Sequence, residues 1–455
     1  MRRAVVWFRR DLSLGDNPAW AAATTQHDEV AAVFVVEPAL LAAAGEHRRA
    51  QLLCSVDALA RSLESLGGSL SILKGPAVTS VPDFARRIGA GAVLFNADVT
   101  RFAQARDALV VAALSRCGVA SDASWGTLMH APGTITTAAG SVPRVFTRFY
   151  ERWASLPLEG RAATGTATLL SGPDTAELRV ESVPPMPAGE AAALERLGRF
   201  AEGVDDYADR RDRPDLEGTS RLSADLRFGT ISPRTIARRL GAATPGKAAF
   251  VRQLAWRDWY AHLFYERPDL VDHAQQQDYD RVEWSNDPDD VAAWVEGRTG
   301  YPIVDAAMRE LAATGWLHNR LRMIAASFLV KDLLVDWRVG ERHFRRLLVD
   351  GDVPQNAGNW QWSAGTGPDA APYFRVMNPT TQGLRFDPHG DYVRRWVPEL
   401  AALEGNSVHE PWELGGLELA AAGVLMGHDY PHRVIDHAFA RARVLAAFAA
   451  ARAAR

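Results

Sequence analysis

The strands stop partway along this chain, and that constrains its fold more than any other feature. From Ala4 to about Asp122, the short β-branched runs AVVWF, AAVFVV, SLSIL and GAVLF alternate with helical segments rich in Ala, Leu and Arg, such as Arg48 to Leu66 and Arg101 to Cys117. Such alternation predicts a parallel sheet with helices on both faces, a Rossmann-like α/β domain over residues 1–125. From 126 to 198 the chain is rich in Pro, Gly, Thr and Ala and reads as an interdomain connector. Beyond Glu195 the apolar period is helical, as in AAFVRQLAWRDWYAHLFYE, YPIVDAAMRELAATGW and LHNRLRMIAASFLVKDLLVDW. That predicts an all-α domain over 199–455.

Composition removes several function classes. The apolar run after the first basic residues is five residues long before two more Arg, too short for a signal-peptide core. The longer run from Val30 is broken by Glu37 and Pro38, so no membrane span is expected. A soluble, cytoplasmic, monomeric protein is the expectation. Cys54 and Cys117 are the only cysteines. Two cannot build a disulfide framework or a four-cysteine metal or iron-sulfur site, so no metal is expected. A net charge of −4 argues against nonspecific coating of nucleic acid but leaves room for one local basic groove.

The helical half holds the unusual residues. Trp316, Asn319, Arg320 and Met323 fall at i, i+3, i+4 and i+7 after Gly315, which predicts one helix face where a core helix would carry Leu or Val. Arg322 adjoins it, and Asp350 and Asp352 offer carboxylates for a helix–loop salt bridge or for a bound ring's N–H. Trp256, Arg257, Trp259 and Tyr260 form an aromatic and cationic cluster, read either as amphipathic packing or as a stacking platform for bases. Thr219, Ser220 and Ser223 beside Arg221 offer more hydroxyls than a helix cap uses, and suit a phosphate. Asn356 to Gly383, NAGNWQWSAGTGPDAAPYFRVMNPTTQG, keeps neither a helical nor a strand period for long. Read alone, it favours a loop or short-helix connection pinned by two buried Trp. Glycines beside large rings also suit a flat ligand that needs close backbone approach.

Long ordered motifs then carry a resemblance. WFRRDLSLGDNPAW, EGTSRLS, the stretch TGYPIVDAAMRELAATGWLHNRLRMIAASFLVKDLLVDWRVGERHF, DGD and the Asn356–Gly383 segment together resemble the photolyase/cryptochrome family over essentially the whole chain, and most of all its class I cyclobutane pyrimidine dimer photolyases. The resemblance implies a U-shaped FAD with Asn356 facing flavin N5, and Asp350, Asp352 and Arg322 near the polar edge of the ring. Tyr207, Thr219, Ser220, Arg221, Leu222, Ser223 and Arg257 match positions that grip the rest of FAD, with Trp316 and Asn319 beside it. Trp256 and Trp362 match the rings that wedge a flipped-out dimer, with Asn319, Arg320 and Met323 lining the pocket and Arg211 and Arg375 as phosphate contacts on its rim. Trp360, Trp337 and Trp284 match a relay that carries an electron from the surface to oxidised flavin.

The implied activity is light-driven electron transfer from reduced FAD to a pyrimidine dimer in UV-damaged DNA and back, with no net redox. A (6-4) photolyase is expected to place His at the Asn319 and Met323 positions, and this chain reads HNRLRM. A photoreceptor of the cryptochrome type usually carries a tail beyond the shared fold, whereas this chain ends soon after an Ala-rich helix. Gln253 departs from the pattern, because repair enzymes of this class typically carry Glu there. That departure keeps a signalling alternative open. For the antenna chromophore, FNADVTRFAQARD and EHRRAQ at Glu46 to Gln51 resemble the pattern for 8-hydroxy-5-deazaflavin more than that for methenyltetrahydrofolate.

Overall fold

A computed structural model describes residues 2–172, 176, 178, 183–368 and 375–453. The chain forms two compact units. One comprises Met1–Ala208, Ser220–Pro268 and Val349–Pro354, the other Asp209–Thr219, Asp269–Leu348 and Gln355–Arg455.

The first unit contains the expected sheet. Its strands are β1 (Arg3–Phe8), β2 (Glu29–Val36), β3 (Leu70–Lys74), β4 (Ala92–Asn96), β5 (Ala120–Ser124) and β6 (Thr168–Leu170). All pair in parallel in the order β3-β2-β1-β4-β5. One edge of β2 is shared, with Glu29–Ala31 pairing to β6 and Ala32–Val36 to β3. Val5, Trp7, Val33, Phe84, Val93, Phe95 and Leu114 pack one core of this unit, drawing on strands and on the Ala77–Arg87 and Arg101–Arg116 helices. The order reverses at β1, so the crevice beyond the carboxyl ends of β1 and β4 is a topological switch point.

The stretch that reads as a connector is more ordered than its composition implies. It contains the Phe146–Ser155 helix, β6 and the start of the Glu190–Gly203 helix. Asp258, fully buried on the Pro245–Glu266 helix, fastens it. Its carboxylate accepts from Met129 N–H at 3.0 Å, His130 N–H at 3.1 Å and Trp153 Nε1–H at 3.0 Å. Trp256 on the same helix stacks on Phe146 with ring centroids 3.7 Å apart.

The second unit is helical, with two departures from the sequence-based expectation. The 317–337 stretch is not one helix. Asn319–Ser327 passes into a π-type turn at Phe328–Asp332, the backbone breaks with Leu334 at φ 57°, and a new helix, Trp337–Leu347, starts under an Asp336 cap. An acidic cap that satisfies the free N–H groups of the next helix outcompetes continuation of the apolar period. Conversely, the stretch read as a loop or short helix from Asn356 opens as a regular helix, Val353–Ala364. A second helix, Pro379–Phe386, closes it; residues 369–374 between them lie outside the described residues. Two tryptophans at i and i+2 project from nearly opposite sides of a helix. Trp360 is buried and Trp362 half-buried. Between them, buried Gln361 donates to Leu270 O at 2.7 Å and His273 O at 3.0 Å, and accepts from Gln275 N–H at 2.9 Å.

Asp258→Ala leaves three buried donors without an acceptor. Each such donor costs roughly 1–3 kcal/mol, so the substitution is expected to destabilise the first unit by about 3 kcal/mol or more, read as a lower denaturant midpoint; an unchanged midpoint contradicts this account of the fastening.

Candidate functional site

Within the first unit, the candidate residues other than Tyr207 gather on three elements. The DGD turn holds Asp350 and Asp352, both buried. Arg10, which follows β1, pairs with Asp352 and with Asp98 beyond β4, the latter at 3.1 Å. Burial opposes charge on Arg10, yet the two carboxylates hold its pKa above the usual guanidinium range. Burial likewise works against the Asp98 carboxylate, and Arg10 reverses it, holding that group below the usual range. Arg227 donates Nε–H to Gly351 O at 2.9 Å; burial, aided by the Arg10 charge, brings its pKa down to about 9. Sequence reasoning counted Arg10 only as part of a motif. Its partners are 88 and 342 residues away, and no local pattern reports such pairing.

The Pro245–Glu266 helix carries Gln253, Trp256 and Arg257. Arg257 donates to Thr127 O at 2.5 Å and Leu226 O at 3.2 Å, and burial lowers its pKa. Gln253 donates Nε2–H to Ala249 O at 3.2 Å, one turn back on its own helix. Tyr207 is buried between Phe200 and Phe250, at centroid distances of 5.8 and 5.2 Å. The third element is the turn Ser220–Ser223. Ser220 Oγ accepts from Leu222 N–H at 3.3 Å, Leu222 is buried, and Arg221 and Ser223 are exposed. Arg221 has φ 52° and Leu222 φ −84°, ψ 2°. A left-handed residue followed by a right-handed one turns successive N–H groups to one side, the geometry that holds an anion.

In the second unit, Asn356 is buried and donates both Nδ2 hydrogens to Glu341, to its carbonyl at 2.8 Å and its Oε1 at 2.9 Å. Burial raises the Glu341 pKa, and Arg345 and Asn356 pull it back. With both donors committed, the carbonyl oxygen is the Asn356 atom left for a ligand's N–H, which fits the N5–H of a reduced flavin. Trp360 lies on the same face, one turn on, packed against Phe344 at 4.9 Å and Trp294 at 6.1 Å. Trp337 is fully buried and Trp284 half-buried.

The expected Trp316 to Met323 stripe is only partly helical. Gly315 at φ 65° ends the preceding helix, His318 caps the next by accepting Arg320 N–H at 3.1 Å, and Trp316 sits in the turn between. Asn319, Arg320, Arg322 and Met323 do lie on the Asn319–Ser327 helix, and Asn319 Nδ2 is 3.8 Å from Met323 Sδ. Arg320 pairs with Asp212 at 2.8 Å and covers the Phe386 ring at 4.3 Å. Arg322 donates Nε–H to Leu317 O at 2.8 Å. Arg375 is exposed, with its carbonyl accepting from Lys331; Thr219 and Arg211 are half-buried. Among the described residues no cluster could hold a metal, and no helix is long and apolar enough to cross a membrane.

The chain thus comprises a parallel α/β unit with a switch-point crevice and a helical unit in which buried Asn356 keeps its carbonyl oxygen for a ligand donor. Residues 4–166 match the family pattern described as DNA photolyase, and residues 250–450 match the FAD binding domain of DNA photolyase. A deoxyribodipyrimidine photo-lyase of Streptomyces griseus is 44% identical over 460 residues, covering 97% of this chain and 98% of that protein. A bacterial class III photolyase from Agrobacterium tumefaciens superposes with TM-score 0.93 at 37% identity, covering 100% of this chain and 98% of that one. A cryptochrome from Synechocystis sp. PCC6803 superposes with TM-score 0.90 at 28% identity, covering 98% and 99%. The chain belongs to the photolyase/cryptochrome family, and FAD is the cofactor its helical domain takes.

Two predictions follow from these pairings. Arg10→Ala leaves Asp98 and Asp352 buried without their cation, which is expected to cost about 3–5 kcal/mol, read by chemical denaturation; loss of less than about 1 kcal/mol, the worth of an exposed pair, contradicts it. The second concerns His343, against the Trp294 ring at 5.4 Å, whose pKa burial brings down to about 4. The fold holds it neutral, so its contribution is complete above the unfolded-state pKa near 6.5 and is lost as pH falls from there through 4. The parent is therefore expected to lose about 3 kcal/mol more than His343→Leu between pH 7 and pH 4, and parallel pH profiles would refute it.

Proposed function

We propose that this protein splits cyclobutane pyrimidine dimers in UV-damaged DNA under blue light, by electron transfer from FAD to a flipped-out lesion. The observation that carries this reading is the identity to a deoxyribodipyrimidine photo-lyase along nearly the full length of both chains. Bound and reduced, FAD supplies the photoexcited electron donor.

The chain's own residues have four tasks. The Ser220–Ser223 turn, with Thr219, binds the cofactor phosphates through N–H groups and hydroxyls, and Tyr207 and Arg257 hold the remainder. The Asn356 carbonyl accepts from N5–H, its orientation fixed because both its donors are spent on Glu341. Asp350, Asp352 and Arg322 serve the polar edge of the ring, where the Arg322 charge favours an anionic reduced form. Trp256 and Trp362 receive the dimer by stacking. Trp256 is supported from behind by Phe146, so its ring is already fixed before a lesion arrives. Asn319, Arg320 and Met323 line that pocket and exclude water, while Arg211 and Arg375 meet backbone phosphates. Trp360, Trp337 and Trp284 form a separate relay that re-reduces oxidised cofactor.

For the antenna, 8-hydroxy-5-deazaflavin is proposed over methenyltetrahydrofolate on sequence pattern alone. The carboxylates of that pattern are already engaged: Asp98 holds Arg10, Asp107 holds Arg9, and Arg106 bridges Asp107 and Glu37. A cavity of about 10 Å³ lined by Arg9, Arg10 and Asp98 has room for one water. No step of the repair chemistry depends on an antenna.

Gln253 favours a second reading, a blue-light photoreceptor without repair activity. An amide offers an N–H donor and a C=O acceptor without needing a proton, but cannot transfer one. Dimer loss per absorbed photon, measured on a thymine-dimer oligonucleotide from neutral to alkaline pH, separates the two. The parent is expected to repair with a flat pH profile, and Gln253→Glu to raise the yield modestly and make it pH-sensitive. A parent that binds and photoreduces FAD but leaves the dimer intact overturns the repair reading in favour of the photoreceptor.

A further inference from the structure

We infer that Arg338 is a positioning residue of the tryptophan relay: its guanidinium, lying over the Trp337 ring and held there by Asp280 and Asp336, drives an oxidised Trp337 to pass its charge on to Trp284. The inference rests on the reading of Trp360, Trp337 and Trp284 as a relay, and deepens it.

The guanidinium carbon of Arg338 lies 4.8 Å from the Trp337 ring centroid. Arg338 is tied on three sides. Its Nη2 pairs with Asp280, its Nε donates to Asp272 O at 2.6 Å, and its Nη1 reaches Asp336 at 3.2 Å. Asp336 also caps the Trp337–Leu347 helix by accepting Arg338 N–H at 2.9 Å. The segments bearing Trp337 and Trp284 are stapled to each other. Ser285 N–H donates to Leu334 O at 2.8 Å, and Asp336 N–H to Asn286 Oδ1 at 2.8 Å. Asn286 and Leu334 both have positive φ, 50° and 57°, conformations that non-glycine residues adopt only where the surroundings enforce them.

The chemistry at the three rings differs. Trp337 is fully buried, and its Nε1–H has no acceptor among the described residues. When Trp337 gives an electron to Trp360, its proton has nowhere to go, so the ring keeps a full positive charge. Trp284 is half-buried, packed edge-on against Phe448 at 5.8 Å. After it gives an electron to Trp337, its indole proton can pass to water and an external thiol can restore it. The middle ring is thus where a nearby charge acts most strongly. Arg338 repels the cation on Trp337 and favours the forward hop. Without Arg338, Asp280 and Asp336 remain and attract that cation, so the charge rests on Trp337 and returns to the cofactor. At this separation the change in the Trp337–Trp284 equilibrium is expected to reach about tenfold or more.

The test is laser-flash absorption of the tryptophan radical in FAD-loaded parent, Arg338→Gln and Arg338→Lys, alongside FAD content, steady-state photoreduction and dimer repair by chemically reduced enzyme. Arg338→Gln is expected to lengthen the life of the protonated tryptophan radical by about tenfold and to lower photoreduction, with repair by chemically reduced enzyme unchanged and Arg338→Lys close to the parent. Asp280→Asn, which leaves the guanidinium less compensated, is expected to shift the radical's lifetime in the opposite direction and serves if Arg338→Gln fails to fold. Radical kinetics equal to the parent in both Arg338→Gln and Asp280→Asn, with Trp337→Phe blocking photoreduction, overturn the role of Arg338 alone. Undiminished photoreduction in both Trp337→Phe and Trp284→Phe overturns the relay, and this inference with it.

Discussion

Burying a charged or polar group without a partner costs several kcal/mol, and this protein buries many of them where its candidate site lies. Several are paired with groups outside their own element. Arg10 holds Asp98 and Asp352, Asn356 spends both donors on Glu341, and Asp258 takes three N–H groups from the 129–153 stretch. The pairings do more than offset desolvation. An amide free to flip could present either a donor or an acceptor to a ligand, and the Glu341 contacts leave Asn356 only its oxygen. The Trp256 ring is likewise held, with Phe146 stacked on one face.

Much of the fold was legible from local pattern. The four apolar strands announce themselves because a parallel sheet buried on both faces needs unbroken β-branched runs. β5, with the sequence ASDAS, and β6, within a Thr- and Gly-rich stretch, do not, because both lie on sheet edges and are held by backbone pairing, not by side-chain burial. The Val353–Ala364 helix was hidden by its Gly, Asn and Pro content; tertiary contacts such as those of Gln361 offset poor propensity. The break before Trp337 was hidden for the opposite reason, since the apolar period runs through it and only the Asp336 cap marks the new start.

The site was legible as residue types and ordered motifs, and illegible as pairings. Asn356 stood out through the segment that carries it. Glu341, which orients it, lies in the stretch WRVGERHF as an unremarkable helical acid. Arg320 read as a pocket residue, yet its ion pair with Asp212 and its place over Phe386 join residues more than sixty positions apart. Hydrogen bonds between distant residues leave no periodicity, so no reading of one sequence recovers them.

The central claim is that this chain is a light-driven flavoprotein whose residues are arranged around FAD. The absorption spectrum of the purified protein, before and after illumination with an external thiol, tests it most directly. The account predicts oxidised-flavin bands that bleach on illumination and return in air. A protein that shows no flavin bands, even after incubation with FAD, contradicts it.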